Sequence, residues 1–255
     1  MRKNLAEYYA EDMYERDRAL DSARIVAPMV MALIHPSSVL DVGCGRGAWL
    51  SEFRALGASK ILGLDGDYLK RSTLLFPVDC FRPTDLSGRF EIAAGRFDLV
   101  TCLEVAEHLP AANSPHLIRQ LTAAAPQVLF SAAPPGQGGG GHINCQTLSY
   151  WRKIFEEFGF RMLDPFRPKL RDDRRVAWWY RQNMVLFVSP DAIAANPALA
   201  ECGEVPPGLE SEWVHMWVAD VQSAGPATRV RRLTGRVLRR ARKALQPKTG
   251  VTASE

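Results

Sequence analysis

The chain has 255 residues, 47% hydrophobic and 24% charged, with a formal net charge of +4 at pH 7. That is enough apolar material to bury a substantial core in one large domain with a tail. No apolar run reaches the roughly 18–20 residues that cross a bilayer, since residues 25–34 are too short and contain Pro28.

Residues 1–17 turn acidic after two basic residues and lack the apolar stretch and small-residue cleavage site of a secretory signal, so a cytoplasmic location is expected. Cys44, Cys80, Cys102, Cys145 and Cys202 are dispersed with no C-x-x-C pair, and read as reduced thiols rather than a disulfide framework or a zinc site. Asp172 and Asp173 do not make a metal site either, and none is expected. Nine basic and one acidic side chain follow Asp220, so the first 220 residues hold 23 basic and 27 acidic groups and the tail carries the basicity.

Residues 5–34 alternate charged and apolar groups at helical spacing, with Leu20, Ala23, Val26 and Ala27 on one stripe. Residues 38–42 read as a strand entering Gly-rich chain, 49–56 as a helix stopped by Gly57, and 60–64 as a second strand. The alternation continues with 97–103 as strand, 115–125 as helix, 127–131 as strand and 147–158 as helix stopped by Gly159. Residues 160–163 and 184–188 are two further strands, separated by a charged, aromatic insertion. Such alternation predicts an α/β fold with a parallel sheet covered on both faces. Beyond it, residues 189–228 are rich in Pro and Ala, with one short helix predicted over 212–222 that carries Trp213 and Trp217.

The most informative segment is VLDVGCGRGAWL, residues 39–50. Gly43, Gly45 and Gly47 leave the backbone bare at a strand-to-helix turn, the place where open parallel sheets bind ligands. Gly43, Gly45 and Ala48 also satisfy the loose dinucleotide pattern G-x-G-x-x-G/A. Asp41 argues against a pyrophosphate at this helix start and for a ligand carrying an ammonium group.

With Asp41 leading the three glycines, the segment resembles the D-x-G-x-G-x-G motif of class I S-adenosylmethionine-dependent methyltransferases, and later markers fall in order through residue 190. The resemblance implies a Rossmann-like, mostly parallel seven-stranded sheet with helices on both faces and S-adenosylmethionine as cofactor. It also implies that Asp65, ending LGLD, takes the ribose hydroxyls, with Asp67 a nearby competitor, and that Asp85 and Leu86 of PTDL meet the adenine. LEVAEHLP, residues 103–110, is similar to the family's turn beside the methionine end of the cofactor and the acceptor pocket, which makes Glu104, Glu107 and His108 lining candidates. The plainer alternative is that Glu107 and His108 only cap and pack the next helix.

The phrase FSAAPPGQGGGGHIN, residues 130–144, leaves the fifth strand on the same edge and reads as a mobile wall over the acceptor. His142 is the candidate general base, because an unperturbed imidazole titrates near neutral pH. His108 is the second candidate, and Asn144 is placed to orient the acceptor or the imidazole. The alternative for His142 is a cap on the helix starting near Thr147.

Tyr8, Tyr9 and Tyr14 are candidates for a lid or for packing. Trp178, Trp179 and Tyr180, with Arg174, Arg175 and Arg181, either shape an acceptor pocket or form a loop network. Residues 229–245 place Val230, Leu233, Val237 and Ala241 along one side of a basic amphipathic helix suited to an anionic membrane surface or RNA, or to a solvated extension.

The organisation expected is an N-terminal helical cap over 1–36, a methyltransferase core over 37–190 and an extension over 191–255. The resemblance implies methyl transfer to a hydroxyl of a small-molecule or saccharide acceptor, possible at the inner membrane face. The rivals are an RNA methyltransferase, disfavoured because [N/D]-P-P-[aromatic] is missing after the fourth strand, a non-catalytic S-adenosylmethionine-binding scaffold, and a nicotinamide-dependent enzyme.

Overall fold

In the computed structural model, which describes residues 18–93 and 95–206, seven short runs pair into one sheet. They are β1 (Ser38–Val42), β2 (Lys60–Asp65), β3 (Phe81–Pro83), β4 (Leu99–Leu103), β5 (Gln127–Ser131), β6 (Arg161–Leu163) and β7 (Val185–Val188). Their order is β3-β2-β1-β4-β5-β7-β6. β7 runs antiparallel to both β5 and β6, and every other pair is parallel.

Side chains alternate between faces with period two and so build two cores. Leu129 of β5 and Leu186 of β7 join one cluster with Ala23, Val26, Trp49 and Phe53. Val128 and Phe130 of β5 and Val185 and Phe187 of β7 join the other, with Leu117, Ile118, Trp151 and Phe155. The first face is covered by α1 (Arg18–Ile34), α2 (Ala48–Ala55) and α6 (Trp178–Asn183), the second by α3 (Ser114–Ala124) and α4 (Leu148–Glu157).

α1 buries Ser22, Ala23, Val26, Ala27 and Val30 along one stripe and turns Pro28 outwards. The Ser22 hydroxyl accepts from the Ala177 N–H at 2.9 Å, tying α1 to the chain entering α6.

Several expectations change. The predicted strand over 97–103 begins at Leu99, because the Phe97 N–H turns to the Ala124 carbonyl. β3 was not anticipated; its sequence, FRP, shows one buried and two exposed residues and carries no apolar run. The insertion after β6 folds as α5 (Arg167–Leu170) and α6. The Pro- and Ala-rich stretch after β7 forms α7 (Pro190–Ala195) and α8 (Pro197–Cys202), whose caps Ser189 and Asn196 accept from the amides of Ala192 and Ala198. The helix predicted over 212–222, residues Tyr8, Tyr9 and Tyr14, and the basic stretch 229–245 lie outside the described residues. Among those described, no helix is long and apolar enough to cross a membrane.

Phe155 stacks on Phe187 with ring centroids 3.7 Å apart and planes 6° from parallel, and meets Phe130 edge-on at 5.4 Å. Replacing Phe155 with Ala is expected to cost about 3–5 kcal/mol, measured as a lower urea midpoint at unchanged slope. A loss under about 1 kcal/mol would show that the pocket collapses freely.

Candidate active site

Between β1 and α2 the chain turns tightly through residues 43–47, and Gly43, Gly45 and Gly47 all adopt positive φ. The amides of Gly43 and Cys44 both donate to the Leu64 carbonyl, which holds the turn against β2. At Gly43 a Cβ would lie 2.3 Å from Val105 Cγ2, so only glycine lets the chain leaving β4 pass so near. At Gly45 nothing lies within 4 Å of a built Cβ, and the turn faces open space there.

Asp41 sits beneath this turn, 2% exposed. Its Oδ1 accepts from the Thr101 hydroxyl at 2.7 Å, while Oδ2 is buried without a hydrogen-bond partner. Burial pushes its pKa up to about 7, against the Thr101 bond and with help from the Asp65 charge. An unpartnered buried carboxylate oxygen beside a bare turn suits a ligand bearing an ammonium group.

Asp65, at the end of β2, accepts from the Gly45 amide at 2.7 Å, the Gly66 amide at 2.7 Å and the Tyr68 hydroxyl at 2.5 Å. Asp67, the competitor for its role, instead pairs with Arg71 at 2.6 Å on the surface. Asp85 is exposed beyond β3 and accepts from the amide and hydroxyl of Ser87, which hold its carboxyl below the usual range. Leu86 beside it is buried. Asp41, Asp65 and Asp85 thus follow the carboxyl ends of β1, β2 and β3 along one edge.

The other half of the edge belongs to the chain after β4. Glu104 has φ +57°, a left-handed conformation rare outside glycine and asparagine and common at functional sites. Its amide is fixed by the Ser131 carbonyl at 2.9 Å. Its carboxylate accepts from Gln137 Nε2 at 2.9 Å and from Asn183 Nδ2 at 3.0 Å. Burial raises its pKa, and these donors oppose the rise.

A 3-10 turn over Ala106–His108 follows. Glu107 is 0% exposed and neither carboxylate oxygen has a hydrogen-bond partner of full geometry. Burial, then the Glu104 charge, raises its pKa to about 9; the amides of Glu107 and Ala133 pull the other way, and the contact with the Glu104 carboxyl adds to the rise. The backbone carbonyl of Glu107 accepts from the amides of both Ile143 and Asn144, at 2.9 and 3.0 Å. This brings His142 against His108, edge to face, with ring centroids 4.8 Å apart. Burial lowers both imidazoles, His108 to about 4 with the His142 charge contributing, so both are neutral at pH 7.

Capping α4 is not the role of His142. Thr147 caps α4 with its own side chain, accepting from the Tyr150 amide. Asn144 faces inwards rather than towards an acceptor: its Nδ2 donates to the Ala106 carbonyl and to Ser114 Oγ, each at 3.2 Å, and fastens the histidine loop to the turn. Tyr180 is buried edge-on to Trp49, and the charges of Glu104 and Asp41 add to the burial that raises its pKa, whereas Arg175 pairs with Asp173 at the surface.

Gln137, Gln182 and Asn183 were not singled out in the sequence. They form an amide network in which Gln137 Oε1 accepts from Asn183 at 2.9 Å and from Gln182 at 3.4 Å. Gln137 could have been found as a polar residue inside the glycine loop. Asn183 could not, because only the antiparallel return of β7 carries it to this edge.

Residues 14–136 match the family described as "Methyltransferase domain". The chain carries a class I S-adenosylmethionine-dependent methyltransferase domain. It is similar to the ubiquinone biosynthesis O-methyltransferase of Azotobacter vinelandii, 36% identical over 100 residues that make up 36% of this chain and 43% of the relative. The enzyme of the same name from Chromobacterium violaceum is 37% identical over 90 residues, 31% of this chain and 36% of the relative. The chain thus matches less than half the length of these relatives. The fold is shared with the magnesium protoporphyrin IX methyltransferase of Synechocystis crystallised with bound S-adenosylmethionine, at a TM-score of 0.50 and 18% identity over 72% of this chain and 94% of that one.

The shifted Asp41 gives this methyltransferase domain a testable pH dependence. The folded chain holds the Asp41 proton up to about pH 7, whereas the unfolded chain releases it near 3.8, so stability is lost as pH rises between these values. Asp41→Asn is expected to lose less stability between pH 4 and pH 7, by up to roughly 4 kcal/mol, in urea titrations at several pH values. A profile parallel to the parent's would show that Asp41 ionises freely.

Proposed function

We propose that this protein transfers a methyl group from S-adenosylmethionine to a hydroxyl oxygen of a small-molecule or saccharide acceptor. The observation that carries this is the juxtaposition on one sheet edge of the Asp41 carboxylate, with its unpartnered oxygen under a glycine turn, and two neutral imidazoles 4.8 Å apart. The names of the two relatives, both O-methyltransferases, support oxygen as the acceptor atom.

When bound, S-adenosylmethionine supplies an electrophilic methyl group on a sulfonium. Gly45 leaves room for its amino acid end, Gly43 and Gly47 let Val105 and Phe76 pack close against the turn that cradles it, and Asp41 meets its ammonium group. Asp65 takes the ribose diol in place of the Tyr68 hydroxyl, which the side chain can withdraw. Asp85 and Leu86 hold the adenine. Glu104, oriented by Gln137 and Asn183, borders the methionine end. The enzyme's main tasks are then alignment, exclusion of water by the 130–144 loop, and removal of the acceptor's hydroxyl proton. His142 and His108 are the catalytic residues of this reading, because each presents a neutral imidazole at the acceptor end. Residues 229–245 are assigned to an anionic membrane surface, supported by their alternation of arginine and apolar residues alone.

Calorimetry is expected to show S-adenosylhomocysteine binding that weakens at least about tenfold in Asp65→Ala. His142→Ala should keep that affinity while turnover with a panel of phenols and sugars falls about a hundredfold or more. Absence of S-adenosylhomocysteine binding would overturn the cofactor assignment, and normal turnover in His142→Ala would remove the histidine from the chemistry.

A further inference from the structure

Tyr180 is 6% exposed, and its ring stands edge-on to Trp49 with centroids 5.2 Å apart and planes at 88°. Two elements bring it to the cofactor side of the edge. Trp49 lies in the first turn of α2, directly after the glycine turn. Asn183, one helical turn after Tyr180 on the same face of α6, donates to the Glu104 carboxylate at 3.0 Å. Tyr180 therefore stands between the start of α2 and the chain leaving β4, where the charges of both Glu104 and Asp41 reach it.

The Tyr180 hydroxyl is prepared as a donor. Burial raises the phenol pKa well above its ordinary value, so the proton is held at neutral pH. The indole N–H groups of Trp49 and Trp179 bear on the phenol oxygen and oppose that rise. The Trp49 N–H is buried and meets no acceptor at full hydrogen-bonding geometry. With indole N–H groups directed at the oxygen, the hydroxyl proton points elsewhere. Among the described residues neither neighbouring acid takes it. Asp41 Oδ2 has no partner, and the Glu104 carboxylate accepts from Gln137 and Asn183.

We propose that the Tyr180 hydroxyl donates a hydrogen bond to the carboxylate at the amino acid end of S-adenosylmethionine, beside the ammonium group that Asp41 meets. The inference rests on the cofactor reading and adds a residue to it. Ammonium and carboxylate share one carbon, so a donor close enough to feel the Asp41 charge stands near the carboxylate. That carboxylate enters a crevice bordered by Asp41 and Glu104, and it needs donors to offset their charges. The glycine turn has few to give. The amides of Gly43 and Cys44 are bonded to the Leu64 carbonyl, that of Gly45 to Asp65 and that of Gly47 to the Cys44 carbonyl. Arg46, within the turn, commits its Nε to the Thr73 carbonyl at 3.0 Å. The phenol, seated on Trp49, supplies the donor from the opposite element, and a bond to an ionised acceptor is the stronger kind.

The test is calorimetry on the full chain with S-adenosylhomocysteine and with its decarboxylated analogue, which lacks only the carboxylate. Tyr180→Phe keeps the ring against Trp49 and removes the donor. It is expected to weaken S-adenosylhomocysteine binding about tenfold or more. Affinity for the decarboxylated analogue should stay within twofold of the parent, which also certifies the fold. S-adenosylhomocysteine affinity within twofold of the parent would overturn the proposal, as would equal losses for both ligands. Unchanged binding with reduced turnover would likewise overturn it and move the hydroxyl to the acceptor. A parent chain that binds neither ligand overturns the cofactor reading, and this inference with it, which keeps the two failures distinct.

Discussion

The chain leaving β1 and the chain leaving β4 pass within van der Waals reach of one another, with Val105 filling the space that Gly43 leaves empty. This contact lies where the strand order reverses direction, the point at which open α/β sheets form a crevice. It fixes the direction of everything after β4. With Val105 seated on Gly43, Glu104 takes a left-handed conformation and the chain closes at once into the turn that carries Glu107 and His108. The backbone carbonyl of Glu107 in that turn then captures the amides of Ile143 and Asn144. A single close approach thus aligns the cofactor side and the acceptor side of the edge.

The edge is also electrostatically one-sided. Asp41, Asp65, Glu104 and Glu107 line it, and among the described residues none of them enters an ion pair. Neutral donors hold what is held: a threonine hydroxyl, backbone amides, a tyrosine hydroxyl and two side-chain amides. Fixed cations would make these carboxylates cheap to ionise. Their absence from the described neighbourhood, together with burial, keeps Glu107 largely and Asp41 partly protonated at pH 7, so a positive ligand would draw them towards the charged form.

Much of this arrangement was legible in the residues. Apolar runs marked six of the seven strands, and the acids at the ends of β1, β2 and β4 marked the edge itself. The two helices after β7 were hidden by their prolines, although Ser-Pro and Asn-Pro are also signatures of a capped helix start, and both caps form. β3 was hidden because its exposed Arg82 and Pro83 show no alternation. At the site, the glycine turn and His142 announced themselves, whereas the amide network on Glu104 joins residues 33 and 79 positions away. Such partners come from topology, and local pattern carries no trace of them.

β7 has a further consequence for how the chain must be assembled. It threads between β5 and β6, so β6 is synthesised before β7, the strand it pairs with among the described residues. Until Val185–Val188 emerges, β5 presents an open edge whose side chains, Phe130 among them, belong to the deepest part of the core. A nascent chain stalled between β6 and β7 therefore carries an unpaired apolar ladder, the feature most prone to recruit a second strand from another molecule. The last strand to be made covers the β5 edge and gives β6 its place as the outer strand of the sheet.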